Sequence, residues 1–168
     1  MYEAVWREHL IDMPSMEGVH GATVLVWGGE VASHICRGCT VVDSEERAHQ
    51  ELETESHTHV VYILESASEH TEDLKAVGAC LRLVQAVAAM PVHARPKVWL
   101  VTRGAQGPDG SQPYMSLTGL VRAVQFEAGP GLRCACVDID PALDAEAAGL
   151  RLYEEISASK AGVWENEV

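Results

Sequence analysis

Two glycines follow an apolar run in Thr23–Ser33, TVLVWGGEVAS. In nucleotide-binding α/β proteins a first strand turns at such a point into a helix whose N-terminus holds phosphate. That turn requires glycines spaced G-x-G-x-x-G, one for the turn itself, one for close backbone approach to the pyrophosphate and one for helix packing. Counted from Gly28, the later positions hold Glu30 and Ser33; counted from Gly29, they hold Val31 and His34. The glycine pattern is therefore broken. An acid, Asp43, does end the next strand-like segment, where a ribose hydroxyl would be read. Gly28, Gly29 and Asp43 form the candidate cofactor-binding set of one reading, a stand-alone nucleotide-binding α/β enzyme.

Other reaction chemistry is hard to place. A reductase needs a proton donor, commonly a tyrosine beside a lysine that lowers its pKa. Four residues after Tyr2, Tyr62, Tyr114 and Tyr153 stand Trp6, Ser66, Thr118 and Ser157, so neither Tyr-x-x-x-Lys nor Tyr-x-x-x-Asn occurs. There is no G-x-S-x-G nucleophile turn and no H-E-x-x-H zinc motif. The eight histidines are scattered, none with an acid or nucleophile at a readable spacing. A zinc-stabilised module built on His34, Cys36, Cys39, Cys134 and Cys136 is a further alternative, but the spacing matches no standard zinc module, and Cys134 and Cys136 fit one face of a strand. The expected catalytic and metal sets are empty.

The elements that would position these residues follow from the period of the apolar pattern. Strands are expected at Tyr2–Trp6, Thr23–Trp27, Thr40–Val42, Val60–Leu64, Val98–Val101 and Leu132–Ile139, and a last one begins near Val163–Glu165. Helices are expected at Val31–Arg37, Glu45–Thr54, Thr71–Met90, Ser116–Glu127 and Pro141–Ala158. Ser44 precedes two acids and reads as the cap of the second helix. In the third, Leu74, Val77, Leu81, Val84 and Ala88 make the inward stripe, with Gly78 beside it as a point of close packing on the sheet. Leu117, Leu120, Val121 and Val124 point inward from the fourth helix, and Leu150, Tyr153 and Ile156 from the fifth. Near-continuous apolar strands alternating with helices predict a doubly wound, mainly parallel α/β sheet covered on both faces.

Bulk properties narrow the partners. At 168 residues the chain fits one domain, and at 47% apolar and 22% charged it has the composition of a globular protein. No apolar run is long enough to span a bilayer, and the N-terminus lacks a secretory signal pattern, so a cytoplasmic location is expected. The formal charge of −13, with 12 basic residues spread along the chain, argues against nucleic acid as partner.

PKVWLVTRGAQ at Pro96–Gln106, followed by SLTGLVRAVQFEAGPGLRCACVDID, resembles the structural, N-terminal subdomain of ketoreductase regions in modular type I polyketide synthases. YEAVWRE, HVVYILES and WENEV resemble that family's opening, central and closing strands, so the likeness runs through nearly the whole chain. The resemblance implies a truncated Rossmann-like fold without chemistry of its own, and NADPH bound in a separate catalytic half. The implied role is to brace that half, or a neighbouring enoylreductase or methyltransferase, while carrier-bound β-ketoacyl chains are processed. An apolar face that normally meets a partner would then drive self-association of the isolated chain.

The residues carrying the resemblance are candidate interface or structural positions: Arg103, Gly104, Arg122, Glu127, Asp138 and Asp140. Arg103, at the carboxyl end of a strand, is expected either to contact the partner half or clamp a carboxylate, or to pair internally with Glu127 or Asp138. Arg122 and Glu127 are five apart on one helix and have other partners. Asp138 and Asp140 flank Ile139 on one face, as paired carboxylates or as the strand's end and the cap of a helix beginning at Pro141.

Overall fold

The computed structural model of the protein describes residues 24–28, 30–35, 39–64, 70–105, 115–127 and 131–158. The strands expected at Tyr2–Trp6 and Val163–Glu165 lie outside these residues, as do Gly29 and Cys36. Five strands are present: β1 (Val24–Trp27), β2 (Thr40–Val42), β3 (His59–Ile63), β4 (Lys97–Arg103) and β5 (Cys134–Ile139). They form one sheet in the order β2-β1-β3-β4-β5, every neighbouring pair parallel. Four α-helices join or follow them: α1 (Glu45–Thr54), α2 (His70–Ala89), α3 (Met115–Glu127) and α4 (Ala145–Ala158). The expected doubly wound α/β fold is what the chain forms.

The strands are central because their sequences leave water on both faces at once. β3 is buried at all five positions, and β4 at its five inner ones. Alternate residues feed two cores. On one face Leu25, Val60 and Leu100 pack under α1, α2 and α3 through Leu52, Leu83, Val87 and Leu117. On the other, Val26, Val61, Trp99 and Val101 pack under α4 and a 3-10 turn at Glu30–His34. The short helix expected at Val31–Arg37 is this turn, whose Val31, Ala32 and Ile35 are buried. Right-handed crossover explains the division, because β1 to β2 steps one way along the sheet and every later connection steps the other way.

Helix ends and phases show where local pattern was and was not sufficient. Ser44 caps α1, its hydroxyl accepting from the Arg47 amide at 3.4 Å. In α2 the buried residues are Ala79, Cys80, Leu83, Val84 and Val87, while Leu81 is 41% exposed. Of the expected stripe, Val84 is buried and Val77 and Ala88 pack against the core, while Leu81 faces outward and Leu83 and Val87 go in beside them. Gly78 does not pack on the sheet: a Cβ there would lie 3.3 Å from the Arg82 guanidinium, which reaches across to both carboxylate oxygens of Glu45 on α1. In α4, Leu152 and Ala148 point inward and Leu150 outward at 49% exposed. That helix starts at Ala145, not Pro141, because Asp144 accepts from the Ala147 amide at 2.8 Å and is its cap.

Two loops are wired from a distance. Arg95 donates to the carbonyls of Met90 (2.9 Å), Ala88 (2.6 Å) and Gly131 (3.2 Å), closing the end of α2 and joining it to the approach to β5. Gly149 lets α4 lie against the 3-10 turn, since a Cβ there would stand 2.7 Å from the carbonyl carbon and Cβ of His34. Gly149→Ala should lower stability in urea titration: overpacking costs about 1–3 kcal/mol and outweighs the gain of about 1 kcal/mol in helix propensity.

His57, just before β3, is 8% exposed, and neither ring nitrogen makes a hydrogen bond. The nearest carboxylate oxygen, on Glu51, is 3.9 Å from Nε2. Burial holds this imidazole's pKa below its ordinary value, with Glu51 and Glu55 opposing in part. The unfolded chain therefore takes up the proton first as pH falls through about 6.5, and stability present above that pH declines below it. His57→Gln should flatten the fall in urea midpoint between pH 7.5 and 5.5.

Candidate functional site

In a 2-1-3-4-5 parallel sheet, ligands enter the crevice at the carboxyl ends of the strands where the order reverses, here between β1 and β3. Gly28 follows β1 at that point with φ +104°, a left-handed conformation that favours glycine. Its amide donates to the carbonyl of Val42 on β2 at 3.3 Å. A Cβ on Gly28 would lie 2.4 Å from the carbonyl oxygen of Ile63 at the end of β3. The glycine thus lets two strand ends close on each other, and the amide that would face a phosphate is spent inside the sheet. Beside it Trp27 and Tyr62, in register on β1 and β3, stack with ring centroids 4.2 Å apart and are each 8% exposed.

Among the described residues the turn lacks the features by which a dinucleotide is held. The element after Gly28 is a five-residue 3-10 turn, too short to present a helix N-terminus. Asp43, the candidate ribose reader, is exposed and lies 3.6 Å from Arg47 one turn into α1. The set of Gly28 and Asp43 is therefore brought to one end of the sheet without forming a cradle, and Gly29 lies outside the described residues.

The residues at the ends of β4 and β5 are also committed to the chain itself. Asp138 accepts from the Thr102 hydroxyl at 2.8 Å and the Ala105 amide at 2.9 Å. Arg103 pairs with neither Glu127 nor Asp138; its guanidinium donates to the carbonyls of Leu143 and Pro141, the latter at 3.3 Å. The expected carboxylate partner is replaced by the turn that leads into α4. Gly104 is also left-handed, φ +68°, with its amide on the Ile139 carbonyl at 2.9 Å and Pro141 within 3.3 Å of where a Cβ would sit. Asp140 accepts from the Ala142 amide at 2.8 Å and shapes this turn without capping α4. Arg122 and Glu127 are exposed on α3, away from this edge.

The cysteines separate by sheet face. Cys39, before β2, packs with the core under α4, whereas Cys80, Cys134 and Cys136 belong to the core under α2 and α3. β2 and β5 are opposite edges of the five-stranded sheet, about 19 Å apart at the usual strand spacing. Cys39 therefore cannot share a zinc ion with Cys134 and Cys136, and the two ends of that candidate set do not come together. Burial and neighbouring thiols push Cys134 up to about 12 and Cys80 further still. Such thiols are inert packing groups at neutral pH. Sequence reasoning missed Cys80, whose place in a regular helix carries no local signal, and Thr102, which pairs with an aspartate 36 residues away.

Residues 6–164 match the family described as the Rossmann fold domain of polyketide synthase extender module SpnB. The chain belongs to this family. Among curated proteins and among solved structures nothing matches it. The family assignment agrees with the parallel α/β sheet and makes the chain part of the multidomain polyketide synthase context. Among the described residues no helix is long and apolar enough to cross a membrane.

If Gly28 serves closure rather than a ligand, its replacement acts on stability. Gly28→Ala should cost at least about 2 kcal/mol, from left-handed strain and the clash with Ile63. Asp43→Asn should change stability by no more than about 0.5 kcal/mol, as for other exposed positions. Urea unfolding of both variants gives the comparison; a small cost at Gly28 contradicts the closure.

Proposed function

We propose that this domain is the non-catalytic structural subdomain of a ketoreductase region in a polyketide synthase extender module. Its role is to brace the NADPH-binding catalytic half by buried contact, or a neighbouring enoylreductase or methyltransferase, during processing of carrier-bound β-ketoacyl chains. The reading rests on the family assignment and on one observation above others: after β1 the Gly28 amide is spent on the Val42 carbonyl and its Cα stands too close to the Ile63 carbonyl for any side chain. The polar side chains at the neighbouring strand ends support it. Arg103, Asp138 and Asp140 hold the turns of the scaffold, and general acid-base or hydride chemistry needs groups with free hydrogen-bonding capacity aimed at a substrate.

In this role the nicotinamide is bound by the partner half, and the chain lends rigidity to it. Calorimetric titration of the isolated chain with NADPH should give no binding heat. Mixed with a separately expressed catalytic half, the chain should form a 1:1 complex in sedimentation and raise that half's NADPH-dependent reduction of a β-ketoacyl thioester. Micromolar NADPH binding to the chain alone would overturn the proposal in favour of the stand-alone enzyme.

A further inference from the structure

His57 stands at the joint between two elements that are held very unequally. Before it, α1 is 10 residues long and buries two of them, Ala48 and Leu52. A helix of that length is marginal by itself in water, so its packing must hold it. Its other ties are light: the Ser44 cap at 3.4 Å, and the pair from Glu45 to Arg82, whose side chain is half-exposed. Exposed ion pairs of that kind contribute little. After His57, β3 is buried at all five positions and is bonded to a strand on either side. Opening at such a joint begins on the weaker side.

The imidazole at this joint is sealed while uncharged. It is buried, and neither ring nitrogen makes a hydrogen bond. The groups that favour its charged form are both on the helix side: Glu51, by its backbone carbonyl and by a carboxylate 3.9 Å from Nε2, and Glu55, which ends α1. On the strand side, His59 has its Nδ1 at the Thr58 hydroxyl, 3.0 Å away. The carboxylate distance is beyond hydrogen-bond reach, so a proton added in place would give a buried cation with neither N–H in bonding geometry. That state is costly, and desolvation outweighs the two glutamates. Water would satisfy both N–H groups. The ring lies against the last turn of α1, so water reaches it when that turn moves away.

We propose that His57 is a proton-operated latch on α1. With the ring neutral the helix stays closed over β1 and α2; protonation favours a state in which α1 has lifted while β3, β4 and β5 remain paired. The opening is local and distinct from unfolding of the whole chain. It uncovers the part of the core that Ala48 and Leu52 share with Leu25 and Trp27.

Native-state hydrogen exchange of the full chain, read by NMR and corrected for the intrinsic pH dependence of exchange, tests the latch. The amides of residues 48–55 should exchange through an opening that low urea does not promote, whereas those of β4 should follow the urea dependence of global unfolding. Between pH 7.5 and 5.5 the equilibrium constant of the α1 opening should rise about tenfold, the ratio for a group that titrates near about 6.5 when open and stays neutral when closed. His57→Gln should remove that rise. A single urea-dependent opening shared by α1 and β4 overturns the proposal, as does a local α1 opening indifferent to pH; both are read on the unsubstituted chain and need no variant. Persistence of the tenfold rise in His57→Gln overturns it as well.

Discussion

The approach of Gly28 to the Ile63 carbonyl sets the character of the sheet's carboxyl edge. Doubly wound sheets owe their ligand sites to topology, since connections leave the two central strands on opposite faces and a crevice opens between them. Here Gly28, directly after β1, is left-handed and donates its amide to β2. The available space is then smaller than a methyl group, with 2.4 Å to the nearest oxygen. Only a residue without Cβ can be there, so the packing of the sheet's carboxyl edge by itself requires glycine at this position. The stacked Trp27 and Tyr62 extend the same closure onto one sheet face.

At the same edge, polar side chains at the strand ends organise turns. Asp138 joins the end of β5 to the loop after β4 through two hydrogen bonds. Arg103 holds the loop before α4 by its carbonyls, and Gly104 leaves room for Pro141 at the centre of that loop. Arg95 performs the equivalent task at the opposite end of the sheet. A buried or half-buried guanidinium surrounded by carbonyls keeps its charge and satisfies orphan acceptors at helix ends. This wiring stabilises the turns at both ends of the sheet.

Strands and helix types were legible because a parallel sheet buried on both faces demands uninterrupted apolar runs, and β3 and β4 have them. The cap at Ser44 and the inward face of α3 were equally local signals. Helix phase was less so. In α2 and α4 the sequence offers leucines on more than one side, and Leu83 and Leu152 went inward with Ala79, Cys80 and Ala148 while Leu81 and Leu150 stayed outside. The partners of Arg103 and Asp138 lie 33 to 40 residues away, so no spacing rule reaches them. The glycine pattern is broken in the sequence, but the contact of Gly28 with Ile63 is visible only in the packing.

Handedness links these features to the shape of the second sheet face. Among the described residues, the β1 to β2 connection brings a five-residue turn to that face, and α4 packs beside it. One helix can span that area only by lying low across the strands and abutting the turn, which is why Gly149 meets the backbone of His34 at a distance no side chain tolerates. Ala148, Leu152 and Ile156 are drawn fully into the core by this placement. Leu150 is turned outward by the same rotation. An exposed leucine on α4 is thus a geometric consequence of covering a sheet face with one helix, just as exposed Phe126 follows from α3 having Leu117 and Val121 on its inner side.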